Sequence, residues 1–426
     1  MSERIVILGN SAAAIAAANA VRARGGDQAI AMVSNEPCTA YSPVLTTYFL
    51  RGQIPESALY FCDLGYYREN DIACHFGRAA VDLDAAAQRV TLDDGTRLDY
   101  DKLLIATGAS AKRVSGLDPE IAAEVRYLRT VDDARRIREA ALGARHVVMM
   151  GGGLVSLQVA CAVARPDLRV TCVVASRQLL SQNIDPTCAA LVCDHVERSA
   201  NIEILFGASV GEITRADGGY RVRLDSGAEL HADLLAAGKG VSPNIGFVDP
   251  AQIDIGEGIV VDDHLRTSAG NVWAAGDLAQ GRNRVTGKAE IVANWIDACE
   301  QGAVAGADMA GDPALFAGSM AENITTLFGL QVAALGITRS REGDGLREVT
   351  HADEARGIYR RLLLRDGTVV GATLLRDTGD VGVLRGAIAA GRQPWPSAEA
   401  AVRGHVRYAG LIKGALAPAS PLARAV

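Results

Sequence analysis

The stretch RIVILGNSAAAIAAANA, from Arg4 to Ala20, sets the reading of the whole chain. Its first five residues end in Val6-Ile7-Leu8, an apolar run suited to a strand covered on both faces. Gly9 permits a tight turn with no Cβ in the way, and the alanines that follow predict a helix. Such a helix begins with free N–H groups and a partial positive charge aimed at the turn, which favours a pyrophosphate. The motif expected there is G-x-G-x-x-G or A. The chain supplies Gly9-Asn10-Ser11-Ala12-Ala13-Ala14, with Ser11 in the second glycine position. An acid about 20 residues further on takes ribose hydroxyls in this arrangement. Glu36 stands just past a second apolar run, Ala29 to Val33. A secretory signal ending in Ala18-Asn19-Ala20 is the competing reading. Glu3, the turn at Gly9 and a second copy of the pattern downstream all disfavour it.

The chain has 426 residues, 49% of them hydrophobic, enough for two or three domains with sizeable cores. No segment approaches the ~20 uninterrupted apolar residues of a membrane span, so a soluble globular protein is expected. A net charge of −7, from 43 basic and 50 acidic residues, argues against a general attraction to nucleic acid. Eight scattered cysteines do not make a disulfide framework, which points to a reducing cytoplasm. Cys188 and Cys193 have the C-x-x-x-x-C spacing of a redox pair. They fall in an expected helix from Pro186 to Ser199, where five residues turn through ~140° and put the thiols on different faces, so packing is the expected role.

After Glu36, residues 37–48 carry two prolines and read as an ordered loop entering a helix that ends near Gly52. Short alternating segments from Ala73 to Leu98, with Asp94-Gly95, predict a strand and a hairpin; Tyr100 to Gly108 is another buried strand ending in small residues. From Val131 the pattern is helical. Then Arg145 to Met150 enters Gly151-Gly152-Gly153-Leu154-Val155-Ser156 and an apolar helix, Leu157 to Ala164. This second cradle, about 140 residues after the first, implies two dinucleotides rather than one. Its next strand, Val170 to Val174, leads to Ala175, where a carboxylate would select NADH. Ser176 and Arg177 follow, either as a receptor for a 2′-phosphate or as solvated surface. Ala232 to Gly238 and Thr267 to Asp277 are two more strands ending on glycine, the last delivering Asp277 within reach of a polyol chain. A small-residue helix opens at Asn294-Trp295. Strand-like runs at Ile358 to Leu364 and Val369 to Leu375 precede a tail from Pro394 expected to end loose.

Two cradles, two strands closing on glycine and a late Gly276-Asp277 resemble the FAD-dependent pyridine nucleotide-disulfide oxidoreductase superfamily over nearly the whole chain. The resemblance implies an α/β fold with two Rossmann-like domains, the NAD(P) domain inserted in the FAD domain, and a C-terminal α+β domain. The boundaries it suggests are 1–112 and 237–316 for FAD, 113–236 for NAD(P) and 317–426 for the last domain. It implies FAD contacts for Gly9, Ser11, Ala12, Ala14 and Glu36, for Thr47 and Ala80, and for Ala106, Thr107 and Gly108. It also places Arg129, Gly276, Asp277 and Trp295 on FAD, with Asp277 at the ribityl chain. Gly151, Gly153, Leu154, Val155 and Ser156 would serve NAD(P), together with Ser176, Arg177 and Gly238.

Within the superfamily the chain is most similar to ferredoxin and rubredoxin reductases and the flavin part of nitrite reductase. Leu128-Arg129-Thr130 and Trp295-x-x-Ala298-x-x-Gln301-Gly302 carry that likeness. Val44 stands where a disulfide- or oxygen-reducing branch has its single redox cysteine; Gln158 replaces a common glutamate and Thr47 a flavin-side lysine. The resemblance implies hydride transfer from a nicotinamide to flavin N5. Electrons would then go to a small iron–sulfur or rubredoxin-type acceptor protein (ferredoxin, Rieske or rubredoxin). No catalytic side chain and no metal are expected, and the protein would be a monomer or homodimer. Direct reduction of a quinone or disulfide, or a non-catalytic flavin subunit of a larger complex, are the alternatives.

Overall fold

Three parallel strands end at one level: Leu8 pairs with Ile105, and Ile105 pairs with Ala274. Their apolar residues are buried on both faces, as a parallel sheet requires. The strands are Arg4–Leu8, Lys102–Ile105 and Val272–Ala274; with Ala29–Ser34 and Ile72–Phe76 they form a five-stranded parallel sheet. Just past the common level lie Gly9, Ala106-Thr107-Gly108 and Gly276-Asp277, brought together by register alone. That edge, at the carboxyl ends of the strands, is where open α/β sheets hold ligands.

The computed structural model describes residues 2–25, 27–341, 343–392 and 395–404. They form two compact units, one made of the chain up to Ala175 with Asn201–Ser319, the other of Ser176–Ala200 with the chain from Met320 onward. The first unit holds a second parallel sheet, ordered Ile202–Phe206, Arg169–Val174, His146–Met150 and Leu234–Ala237. It also holds three-stranded antiparallel sheets at 80–99 and 210–232. The fold is therefore α/β with two doubly wound parallel sheets. No helix among the described residues is long and apolar enough to cross a membrane.

The second unit is built on a five-stranded antiparallel sheet, ordered Glu322–Leu327, Leu330–Gly336, Thr368–Leu375, Ile358–Arg365 and Arg347–Asp353. Two of these strands were legible as apolar runs. The edge strands Glu322–Leu327 and Arg347–Asp353 are too polar to show that pattern. Helix Pro186–Ser199 packs into this unit, where the Tyr359 hydroxyl donates to Asp185, the helix's N-cap, at 3.1 Å. One expectation needs correction. The second cradle's helix begins at Leu154 rather than Leu157, because Gly153 is its N-cap. In the tail expected to end loose, Trp395 is buried and Ser397 caps a helix at Ala398–Val402. Pro394 itself and everything after Gly404 lie outside the described residues.

In the first unit, helix Ala12–Arg22 packs main chain to main chain against helix Trp295–Met309. A Cβ at Gly302 would run into the carbonyl oxygen of Ala13, and one at Gly306 into that of Ala17. Since both residue numbers rise together, the helices run in the same direction and both begin at the same edge of the sheet. The second helix is fixed at each end. Asn294 accepts from the Asp297 amide at 2.8 Å, and buried Asp308 accepts from Trp273 Nε1 at 2.8 Å and from Arg266 at 2.6 and 2.8 Å. Gly302→Val should destabilise the protein by about 1–3 kcal/mol through overpacking. Gly143→Ala, at a helix end with open space around it, should stabilise by about 0.4–1 kcal/mol. Thermal unfolding of the two variants checks the contrast.

Candidate functional site

Gly9 sits at φ +133°, and a Cβ there would strike the Ala106 carbonyl, so this position admits no side chain. Ser11 is the N-cap of helix Ala12–Arg22 at φ −139°, ψ −155°, extended backbone that any residue adopts. No side chain caps this helix and no acid stands in its first turn. By contrast, helices Val131–Gly143, Pro186–Ser199 and Trp295–Met309 are capped by Thr130, Asp185 and Asn294. The open amides and the dipole of the first helix make an anion receptor.

Those amides face a cavity of about 260 Å³. Ser11, Ala12 and Ala13 line one side and Ala106, Gly108, Gly276 and Asp277 another; Asn294, Trp295 and Ala298 close the third. Arg129 reaches in and donates to Asp277 Oδ2 at 2.7 Å, both side chains partly exposed. Asp277 is aimed by the preceding turn: Gly276 is at φ +87°, and its amide donates to Gln301 Oε1 at 2.7 Å. Trp295 packs edge-on against Phe61, ring centroids 5.6 Å apart. Val44 also lines the cavity and is 56% exposed.

Other expected residues lie outside this lining. Thr107 is turned away, its hydroxyl donating to the Asn244 carbonyl at 2.7 Å. Thr47 is buried in helix Thr46–Leu50, Ala14 is buried in the core cluster with Ile5, Ile7 and Met32, and Ala80 packs on the apolar cluster of Leu83, Val90 and Leu92. Glu36 follows strand Ala29–Ser34 and accepts from the Tyr41 hydroxyl at 2.8 Å. Pro43, Ala275, Ala293 and Asn294 line the cavity without having been singled out. Asn294 had a signal, an Asn three residues before Asp297 at the head of a helix.

In the second cradle Gly151 is at φ +126°, and a Cβ there would lie 2.5 Å from the Gly238 carbonyl. Gly153 is the N-cap, and helix Leu154–Val163 again has neither a capping side chain nor an acid in its first turn. Gly153 and Val155 are exposed and Leu154 is partly so. Ser156 is buried, its hydroxyl donating to the Gly238 carbonyl at 3.2 Å, so it ties the helix to strand Leu234–Ala237. Ser176 and Arg177 belong to the other compact unit. Ser176 donates to the Gln178 carbonyl at 2.7 Å, while Arg177 is exposed and makes no ion pair among the described residues.

The cysteines are all free thiols. Cys188 is buried with its pKa raised by burial; Cys193, on another face, lies near Glu197 and is pushed up to about 11, first by burial. Neither is a thiolate at neutral pH. Among the described residues no group of His, Cys, Asp or Glu is arranged to hold a metal.

A family model described as pyridine nucleotide-disulphide oxidoreductase matches residues 3–302. The chain belongs to that family. A second model, the rubredoxin NAD+ reductase C-terminal domain, matches residues 323–392. The chain is 32% identical to the epsilon subunit of the NADH-dependent phenylglyoxylate dehydrogenase of Aromatoleum evansii, over 89% of this chain and 90% of the relative. It is 32% identical to the ferredoxin–NAD(+) reductase component of the anthranilate 1,2-dioxygenase system of Burkholderia cepacia, over 93% of this chain and 96% of the relative. The covalent putidaredoxin reductase–putidaredoxin complex shares the fold, with a TM-score of 0.84 at 24% identity over 91% of this chain and 93% of that one. Unlike family members that use a disulfide, this one should need neither helix thiol. The Cys188→Ser/Cys193→Ser double variant should keep nicotinamide-dependent bleaching of its flavin within about twofold of wild type in stopped-flow absorbance.

Proposed function

We propose that this family member is an NAD(P)H-dependent FAD oxidoreductase passing electrons from a nicotinamide through FAD to a small ferredoxin-, Rieske- or rubredoxin-type protein. One observation carries the reading: the open helix at Ser11, Arg129, Asp277 and Trp295 all meet in one cavity that presents Val44 instead of a cysteine. The chemistry of this set fits FAD. The amides after Ser11 suit the pyrophosphate, the Asp277 carboxylate suits ribityl hydroxyls, and the Trp295 ring suits an aromatic face. Glu36 and Ala80 would hold the adenosine, and the backbone of residues 106–108 the turn between the halves.

Bound there, FAD supplies the exchange between a two-electron nicotinamide and a one-electron carrier. The protein's part is orientation and shielding. Arg129 holds Asp277 in place, Gln301 fixes the turn before it, and Trp295 with Phe61 covers one side of the cavity. Gly151, Gly153, Leu154, Val155, Ser156 and Gly238 would form the nicotinamide cradle. On this reading residues 1–112 and 237–316 are the FAD domain, 113–236 the NAD(P) domain and 317–426 the last, working in a reducing cytoplasm. The Aromatoleum evansii relative, named as a subunit, favours a second reading in which the acceptor is a neighbouring subunit of a complex. Co-elution with a partner on gel filtration of the native protein distinguishes that case.

The purified protein should be yellow and bleach with NADH or NADPH. Asp277→Ala should weaken FAD retention by about tenfold or more, the value of a charged hydrogen bond. A folded Asp277→Ala variant that keeps full FAD through dilution would refute the ribityl assignment.

Nicotinamide choice is the finer question. Two relatives are named for NADH or NAD(+), yet Ala175 removes the carboxylate that binds a ribose diol and repels a phosphate. Arg177 is uncommitted, and a charge-assisted contact to a 2′-phosphate is worth ~1.5 to 3 kcal/mol. We therefore propose that NADPH is preferred and that Ala175→Glu shifts preference to NADH. Flavin reduction rates against the concentration of each nicotinamide, in wild type and Arg177→Ala, decide it; a tenfold NADH preference untouched by Arg177→Ala rules it out.

A further inference from the structure

Tyr41 lies in the loop after Glu36 with its side chain buried and its ring edge-on to Tyr60, centroids 6.1 Å apart. Its hydroxyl makes two contacts. It lies 3.2 Å from the amide of Val131 and 2.8 Å from Glu36 Oε2. An amide only donates, so the hydroxyl oxygen accepts from Val131 and its single proton goes to the carboxylate. Val131 opens helix Val131–Gly143, whose Thr130–Asp133 capping box satisfies other amides but not this one. Two residues earlier in the chain is Arg129, paired with Asp277.

We propose that Tyr41 is a positioning residue for the flavin, holding the Glu36 carboxylate in place and charged for the adenosine ribose, and locking it to the segment that carries Arg129. The proposal rests on the FAD reading above. Glu36 needs such help because its surroundings work against its charge. Burial raises its pKa most, and Asp133 and Asp132 raise it further; the Tyr41 hydrogen bond and Arg129 oppose them. Cys38 stands nearby but is pushed up to about 11 by burial and is neutral. Glu56 and Arg135 are committed to each other at 2.8 Å. Glu36 Oε2 is taken by Tyr41, and Oε1 has no partner among the described residues, so one oxygen is fixed and the other is left to accept from the ribose.

The sign of the pH effect follows. An ionised Glu36 accepts from the ribose through Oε1, so affinity falls as pH drops through its pKa, and removing the Tyr41 bond raises that pKa. Protein stripped of flavin is titrated with FAD, read by quenching of flavin fluorescence, from about pH 8 to about pH 5. Tyr41→Phe should bind about tenfold more weakly at neutral pH and lose affinity at a higher pH than wild type. Glu36→Gln should bind weakly with no pH dependence in this range. In a Glu36→Ala background, Tyr41→Phe should have no further effect, which a merely structural tyrosine would not obey. Equal affinity of Tyr41→Phe and wild type at every pH, or an equal loss in the Glu36→Ala background, overturns the proposal. A wild type that binds no FAD overturns the cofactor reading itself.

Discussion

The candidate site depends on the backbone contact between helices Ala12–Arg22 and Trp295–Met309. Two glycines on one and two alanines on the other let main chain meet main chain, with no side chain to act as spacer. Parallel packing at that distance puts both helix N-termini on one edge of the sheet. One is left open at Ser11; the other is capped by Asn294 and presents Trp295. Strand register does the rest, ending three strands level so that Gly9, Gly108 and Gly276 converge. Neither constraint alone would assemble the cavity.

Much of this was legible because the deciding residues are small and local. Gly9 and Gly151 announce themselves by what precedes and follows them, and the structure shows why each admits no Cβ: a carbonyl oxygen of a neighbouring strand's extension lies where it would go. What was hidden is long-range. Nothing in the spacing of Tyr41 and Val131, 90 residues apart, reveals a shared hydrogen bond. Thr107 sits in a strand end that was read correctly, but Asn244, far along the chain, turns its side chain away from the cavity. The polar edge strands of the C-terminal sheet escaped notice because edges lack the apolar signature that central strands carry.

The departures from the usual cradle motifs have ordinary physical explanations. Ser11 occupies extended backbone that any residue adopts, so its side chain strains nothing there, and it lines the cavity. Ser156 fills the third small position and gains a bond to the Gly238 carbonyl that alanine or glycine would lack. Both substitutions are compatible with a working cradle.

Helix Pro186–Ser199 has a separate consequence. It is interleaved in sequence with the strands of one unit but contributes its buried face to the other, so the chain crosses between units three times, after residues 175, 200 and 319. Cutting at the last crossing would leave the helix's N-cap, Asp185, without Tyr359. Neither unit corresponds to one uninterrupted segment of the sequence, so no single cut of the chain releases either of them whole.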